Sequence, residues 1–129
     1  KGQLLPYVPP VVVRLDVGAH GDLARGESNV VEGRVGVGYS LVGRRPMPYS
    51  ERASIISLLD ASAGVTFTHG ESRIDLGLEM NNLIGSRWNA SEYLYTSNFS
   101  PEGVPSRLPA RHLTAGQPRS VMLTLGLTL

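Results

Sequence analysis

Apolar and polar residues alternate one by one along most of this chain, most clearly from Val121 to its last residue. Val121, Leu123, Leu125, Leu127 and Leu129 share one parity; Ser120, Met122, Thr124, Gly126 and Thr128 share the other. Successive side chains of a strand point to opposite faces, so this run predicts a ribbon with one oily and one small or polar face. The same period returns four times. Val11, Val13, Leu15, Val17 and Ala19 alternate with Val12, Arg14, Asp16, Gly18 and His20. Val31, Gly33, Val35, Val37, Tyr39 and Leu41 alternate with Glu32, Arg34, Gly36, Gly38 and Ser40. Leu59, Ala61, Ala63, Val65 and Phe67 oppose Leu58, Asp60, Ser62, Gly64 and Thr66, and Ile74, Leu76, Leu78 and Met80 oppose Asp75, Gly77, Glu79 and Asn81. The predicted strands are Val11–His20, Val30–Val42, Ile56–Phe67, Arg73–Leu83 and Arg119–Leu129, with almost no helix.

The connections read as alternately short and long. Gly21 to Asn29 is rich in Gly, Asp, Ser and Asn, and His69-Gly70-Glu71-Ser72 is a second turn. Gly43 to Tyr49 breaks the pattern as a loop, and Leu83 to Pro118 is a long irregular segment. Lys1 to Pro10, with three prolines, leads into the first strand as a loop. Short turns on one rim and long loops on the other are the layout of an outer-membrane barrel. The expected fold class is all-β, an antiparallel transmembrane β-barrel segment of about five strands.

The two faces support that expectation. The oily parity carries no charge in any of the five ribbons, and a charge there would cost about 2–4 kcal/mol at the middle of a bilayer. The other parity mixes charges with glycines. Arg14, Asp16, Glu32, Arg34, Asp60, Asp75 and Glu79 are the residues expected to face a wet lumen, beside Gly18, Gly36, Gly38, Gly64, Gly77 and Gly126. A soluble all-β module that binds a ligand or partner on its loops is the alternative, since a sandwich core also excludes charge.

Composition narrows the classes further. Twelve basic against eleven acidic residues leave no surplus charge for a nucleic-acid binder. Cysteine is absent, which excludes disulfides and thiolate metal sites. No run of eighteen apolar residues occurs, so a membrane helix is excluded while a membrane strand is not. With Lys first, no signal peptide and a strand running to the last residue, the expectation is a fragment or processed product of a larger barrel.

Leu76-Gly77-Leu78-Glu79-Met80-Asn81-Asn82-Leu83-Ile84-Gly85-Ser86-Arg87-Trp88 resembles the penultimate strand of TonB-dependent outer-membrane receptors. Leu58 to Gly64 is similar to the strand before it, and Pro109 to Arg119 resembles the approach to the final strand in one branch of that family. The chain departs from the family pattern twice: Ile84-Gly85 stands where Phe-Asp is usual, and Leu129 where an aromatic is the rule. The resemblance implies that residues 1–129 are the C-terminal part of a plugged 22-stranded barrel in the bacterial outer membrane. Such a receptor imports iron chelates, cobalamin or similar scarce nutrients with energy delivered through TonB. It further implies the remaining strands, the absent plug domain, TonB (through that plug) and outer-membrane lipid as partners. Gly43 to Ala53 and Arg87 to Gln117 would face outside. Trp88, Tyr93, Tyr95 and Tyr39 would then lie near the outer headgroups and Phe67 near the inner ones.

Catalytic chemistry is not legible. His20, His69 and His112 lack any local spacing for zinc, and no serine sits in a nucleophile elbow. The expectation is a protein without enzymatic activity, metal or cofactor. The residues expected to touch a small ligand are Tyr93, Tyr95, Phe99 and Arg111, all on the long outer segment.

Overall fold

The computed structural model describes residues 5–99 and 106–129, with side chains for 5–96 and 107–129. Among the described residues seven strands follow one another: β1 (Val12–Arg25), β2 (Asn29–Val42), β3 (Ile56–His69), β4 (Ser72–Asn81), β5 (Asn89–Phe99), β6 (Ser106–Ala115) and β7 (Ser120–Thr128). A single 3-10 turn, Pro48–Ser50, is the only helical element among the described residues. The protein is all-β with antiparallel sheets.

Five strands form one sheet in the order β1-β2-β3-β4-β7, and β5 and β6 form a second, two-stranded sheet. All five predicted strands are present, and the terminal strand lies against β4. The register keeps parity across β3, β4 and β7. Ala63 faces Leu78, which faces Leu123; Val65 faces Leu76, which faces Leu125. One step along, Gly64 meets Gly77 and Gly77 meets Thr124. A slip of one residue would send every oily side chain to the wrong side, so the alternation itself selects this register.

Two expectations need correction. Gly21 to Asn29 is not a turn throughout: β1 continues to Arg25, and only Gly26 to Ser28 reverse the chain, with Gly26 N–H donating to Asn29 O at 2.8 Å. The oily parity persists there, because Leu23 lies two and four positions beyond Gly21 and Ala19. Leu83 to Pro118 is not irregular throughout either. It opens with a tight turn and then forms the β5–β6 hairpin.

That turn uses the Asn-Asn-Leu phrase. Asn82 takes a left-handed conformation (φ 52°), which asparagine tolerates better than most residues. Its side-chain amide bonds Ser86 in both directions, Nδ2 to Ser86 O and Ser86 N–H to Oδ1, each at 2.8 Å. Gly85 (φ 68°) donates back to Asn82 O at 2.8 Å. Asn82 is 3% exposed, so these bonds satisfy polar groups that burial would otherwise strand.

The chain divides into two compact units. One comprises Lys1–Val13, Leu41–Ile56 and Arg87–Gln117, termed the loop unit; the other comprises Arg14–Ser40, Ser57–Ser86 and Pro118–Leu129, termed the sheet unit. The loop unit has a small core of Met47, Ala53 and Leu94, with Tyr7 packed against it. The sheet unit has no comparable cluster of buried apolar side chains among the described residues. Its oily residues, among them Val17, Leu123 and Leu125, are largely exposed.

Candidate functional site

In the sheet unit, strand alternation lines up the charged residues and the glycines on one face. Arg14 on β1 donates from Nε to Asp16 Oδ2 at 2.9 Å, and from Nη1 to Ser40 Oγ at 2.6 Å and Asp60 Oδ2 at 3.1 Å. Three strands thus meet at one guanidinium. Asp60 also accepts Asn82 N–H at 3.0 Å, which ties the β4 turn to the same cluster. Further along, Arg34 Nη1 donates to Thr66 Oγ1 at 3.2 Å, and Thr66 donates to Asp75 Oδ1 at 2.6 Å. Arg73 clamps Asp75 through Nε and Nη2 at 2.8 and 3.0 Å.

The glycines make room for these groups. A side chain at Gly38 would collide with Arg14, and a Cβ at Gly64 would come within 2.6 Å of the Arg34 guanidinium carbon. Both guanidinium groups therefore lie close over glycine backbone. The side chains of the Arg14–Asp16 pair are 48% and 61% exposed, so in water such pairs organise the face more than they stabilise it. Of the residues expected to face a lumen, the structure brings Arg14, Asp16 and Asp60 into one cluster and Arg34 and Asp75 into another. Glu32 and Glu79 are exposed and form no ion pair among the described residues. A polar hollow of about 440 Å³ lies on this face, floored by Gly18, Gly36 and Gly38 and bordered by Arg14, Asp60 and Glu79.

The opposite face is apolar and bare. Leu15, Val17, Leu23, Val35, Val37, Val65, Phe67, Ile74, Leu76, Leu123, Leu125 and Leu127 are between 39% and 76% exposed. Single exposed apolar side chains are ordinary, but a contiguous face of them marks a surface that meets something apolar. The small residues Ala19, Gly21, Gly33 and Ala63 leave a trough of about 540 Å³ in it.

In the loop unit, the β5–β6 hairpin separates the expected ligand residues. Tyr93 pairs with His112 and Tyr95 with Ala110, so these share one face. Tyr93 and Tyr95 are about half exposed, and the Tyr95 and His112 rings stack at 4.0 Å, 3° from parallel. Arg111 belongs to the other face, where it bonds Glu51 at 2.9 Å and approaches Glu92 at 4.0 Å. The Phe99 side chain lies outside the described residues.

The hairpin is held by polar groups that no local pattern announces. Glu92, 2% exposed, accepts Ser54 N–H at 3.1 Å and Asn89 Nδ2 at 2.7 Å. The Tyr7 hydroxyl donates to Leu94 O at 2.7 Å and accepts Leu94 N–H at 3.4 Å, which caps part of a strand edge. Trp88 lies across Gly116 and donates from Nε1 to Gln117 O at 3.0 Å.

Burial pushes the Glu92 carboxyl up, but hydrogen bonds from Asn89 and Ser54 and the Arg111 charge outweigh it and hold the group below the usual 4.5. A depressed carboxylate stabilises the fold above its unfolded-state value, and that contribution is lost as pH falls through the folded one. The Ser54 amide resonance is therefore expected to move on acidification with a midpoint below that of an ordinary glutamate. In Glu92→Gln the acid step should vanish; an identical step in that variant would assign it to another group.

No known protein-family model, curated protein or solved structure matches this chain.

Proposed function

We propose that the five-stranded sheet is a section of the wall of an outer-membrane β-barrel. The observation that carries this reading is the sorting of the sheet's faces. The register of β3, β4 and β7, with the alternation within β1 and β2, gathers the oily residues on one exposed face and the charges and glycines on the other. Lipid satisfies the first face and a water-filled, crowded lumen the second. With the resemblance of Leu76 to Trp88 to TonB-dependent receptors, the proposed role is that of wall segment in a nutrient importer of that type. Its partners are then the other strands and plug of the same barrel, the surrounding lipid, TonB acting through the plug, and a small ligand captured at the outer loops. The exposed Tyr93–Tyr95–His112 face of the hairpin is the part of the loop unit best placed by its chemistry to touch that ligand.

Depth-dependent fluorescence quenching tests the wall. The chain has one tryptophan, so Trp88→Phe provides a silent background. In vesicles of brominated lipid, Leu125→Trp should be strongly quenched and its neighbour Thr124→Trp weakly. Equal quenching of the two, or none, would count against a lipid-facing parity and favour the soluble module.

A further inference from the structure

The two units divide the charge of the chain unequally. The segments of the loop unit hold seven basic and three acidic residues, and those of the sheet unit five and eight. Within the loop unit Arg111 is spent on Glu51 and Glu92, while Arg44, Arg45, Arg52, Arg87 and Arg107 form no ion pair among the described residues. Four of these five have exposed or half-exposed side chains that water can serve. Arg45 differs: its Nε and Nη2 are shielded from solvent and meet no acceptor among the described residues. A charged donor in that state is costly, so such groups are nearly always met by a partner.

Nε–H and Nη2–H point from the same edge of the guanidinium. They are the parallel pair that a carboxylate or phosphate engages side-on with two oxygens. We infer that Arg45 is the centre of an oxyanion-binding site in the loop unit, taking a carboxylate or phosphate group through this edge. The surplus of unpaired arginines supplies the long-range attraction, and Arg45 supplies the directional contact.

The neighbourhood is tied to the aromatic face. Pro46, the next residue, accepts Tyr7 N–H at 2.7 Å, and the Tyr7 ring lies 5.5 Å from that of Tyr93. The loop that follows Arg45 also has an uncommon backbone. Tyr49 and Ser50 are consecutive non-glycine residues at φ 60° and 62°, a sparsely populated conformation that tends to mark binding segments. The site is a property of the loop unit and does not depend on the sheet being a membrane wall.

The test is a nuclear magnetic resonance titration of the chain in a zwitterionic detergent that carries no phosphate, with arginine side chains labelled, using inorganic phosphate and citrate as probes. The Arg45 Nε–H resonance is expected to shift saturably with at least one of them. Arg45→Gln should weaken binding about 10- to 100-fold, the worth of a charge-assisted bidentate contact. Arg44→Gln, one residue away and exposed, should change it about twofold or less by altering the overall charge alone. Arg45→Lys keeps the charge but loses the fork, so it should recover only part of the affinity. A second arm adds vesicles of phosphatidylglycerol or phosphatidylcholine. A shift with free probes assigns a soluble oxyanion, and a shift only with phosphatidylglycerol assigns a headgroup phosphate; either supports the site. No Arg45 shift in any arm, or equal weakening by Arg44→Gln and Arg45→Gln, would overturn it.

Discussion

Leu78→Arg is expected to abolish assembly of this protein in a bilayer, while Glu79→Arg leaves most of it folded. The two residues are neighbours on β4, each bordered by β3 and β7, so strand propensity and position in the sheet hardly differ. They differ in face. Leu78 lies between Ala63 and Leu123 on the oily side, and Glu79 between Ser62 and Met122 on the charged side. Arginine on the lipid side of a mid-barrel strand costs about 2–4 kcal/mol, which is roughly 30- to 1,000-fold in a folding equilibrium. On the other side the new charge meets water and the free space of the polar hollow. The measurement is the folded fraction of each variant in vesicles, read by protection from protease. Equal yields would remove the distinction between the faces on which the barrel reading stands.

The second large effect follows from counting strands. β1 and β7 are the edges of a sheet with five antiparallel strands, so the two edge strands run in the same direction. Pairing β7 of one copy with β1 of another would need a parallel ladder. A two-fold axis instead pairs β7 with β7, or β1 with β1, in the antiparallel sense and gives an isologous interface. An open edge has no place in lipid, where each unsatisfied backbone group costs several kcal/mol. Nor can five strands close on themselves, since the smallest membrane barrels use eight. Expressed on its own, the 129-residue chain should therefore form oligomers or aggregate rather than sediment as a monomer.

Single-cysteine variants read the edge directly, because the chain has no cysteine of its own. Val121→Cys, Leu123→Cys, Leu125→Cys and Leu127→Cys would each be oxidised in detergent. A β7–β7 dyad brings only one or two of these positions within disulfide reach, so cross-linking should peak sharply along the strand. A monodisperse monomer, with no cross-link at any of the four positions and slow hydrogen exchange at both edges, would exclude exposed edges. It would point to a self-contained soluble module.

Much of the fold was written locally. Alternation of side chains is a property of each strand by itself, so Val121 to Leu129, or Ile74 to Met80, can be recognised without a partner. The parity that one strand displays must match its neighbour's, and this carried the register and the pairing of β7 with β4. One glycine-rich stretch was harder. Gly21 suggests a turn by composition, yet in β1 it is simply a small residue on the oily face.

What the tertiary structure decided lies chiefly in the loop unit. The β5–β6 hairpin escaped the pattern because neither of its faces is oily: Glu92 and Leu94 share one with Arg111, while Tyr93 and Tyr95 share the other with His112. Pro109 within β6 argues locally against a strand, although a two-stranded hairpin leaves it an edge to occupy. Arg111 resembles a ligand contact in sequence because its partners are remote, Glu51 being sixty positions away. Tyr7 reaches Leu94 across eighty-seven. The sequence could not single out Arg45 among the arginines of the chain either. Only folding shields two of its donors, and desolvation, unlike alternation, depends on everything packed around a group rather than on its neighbours in the chain.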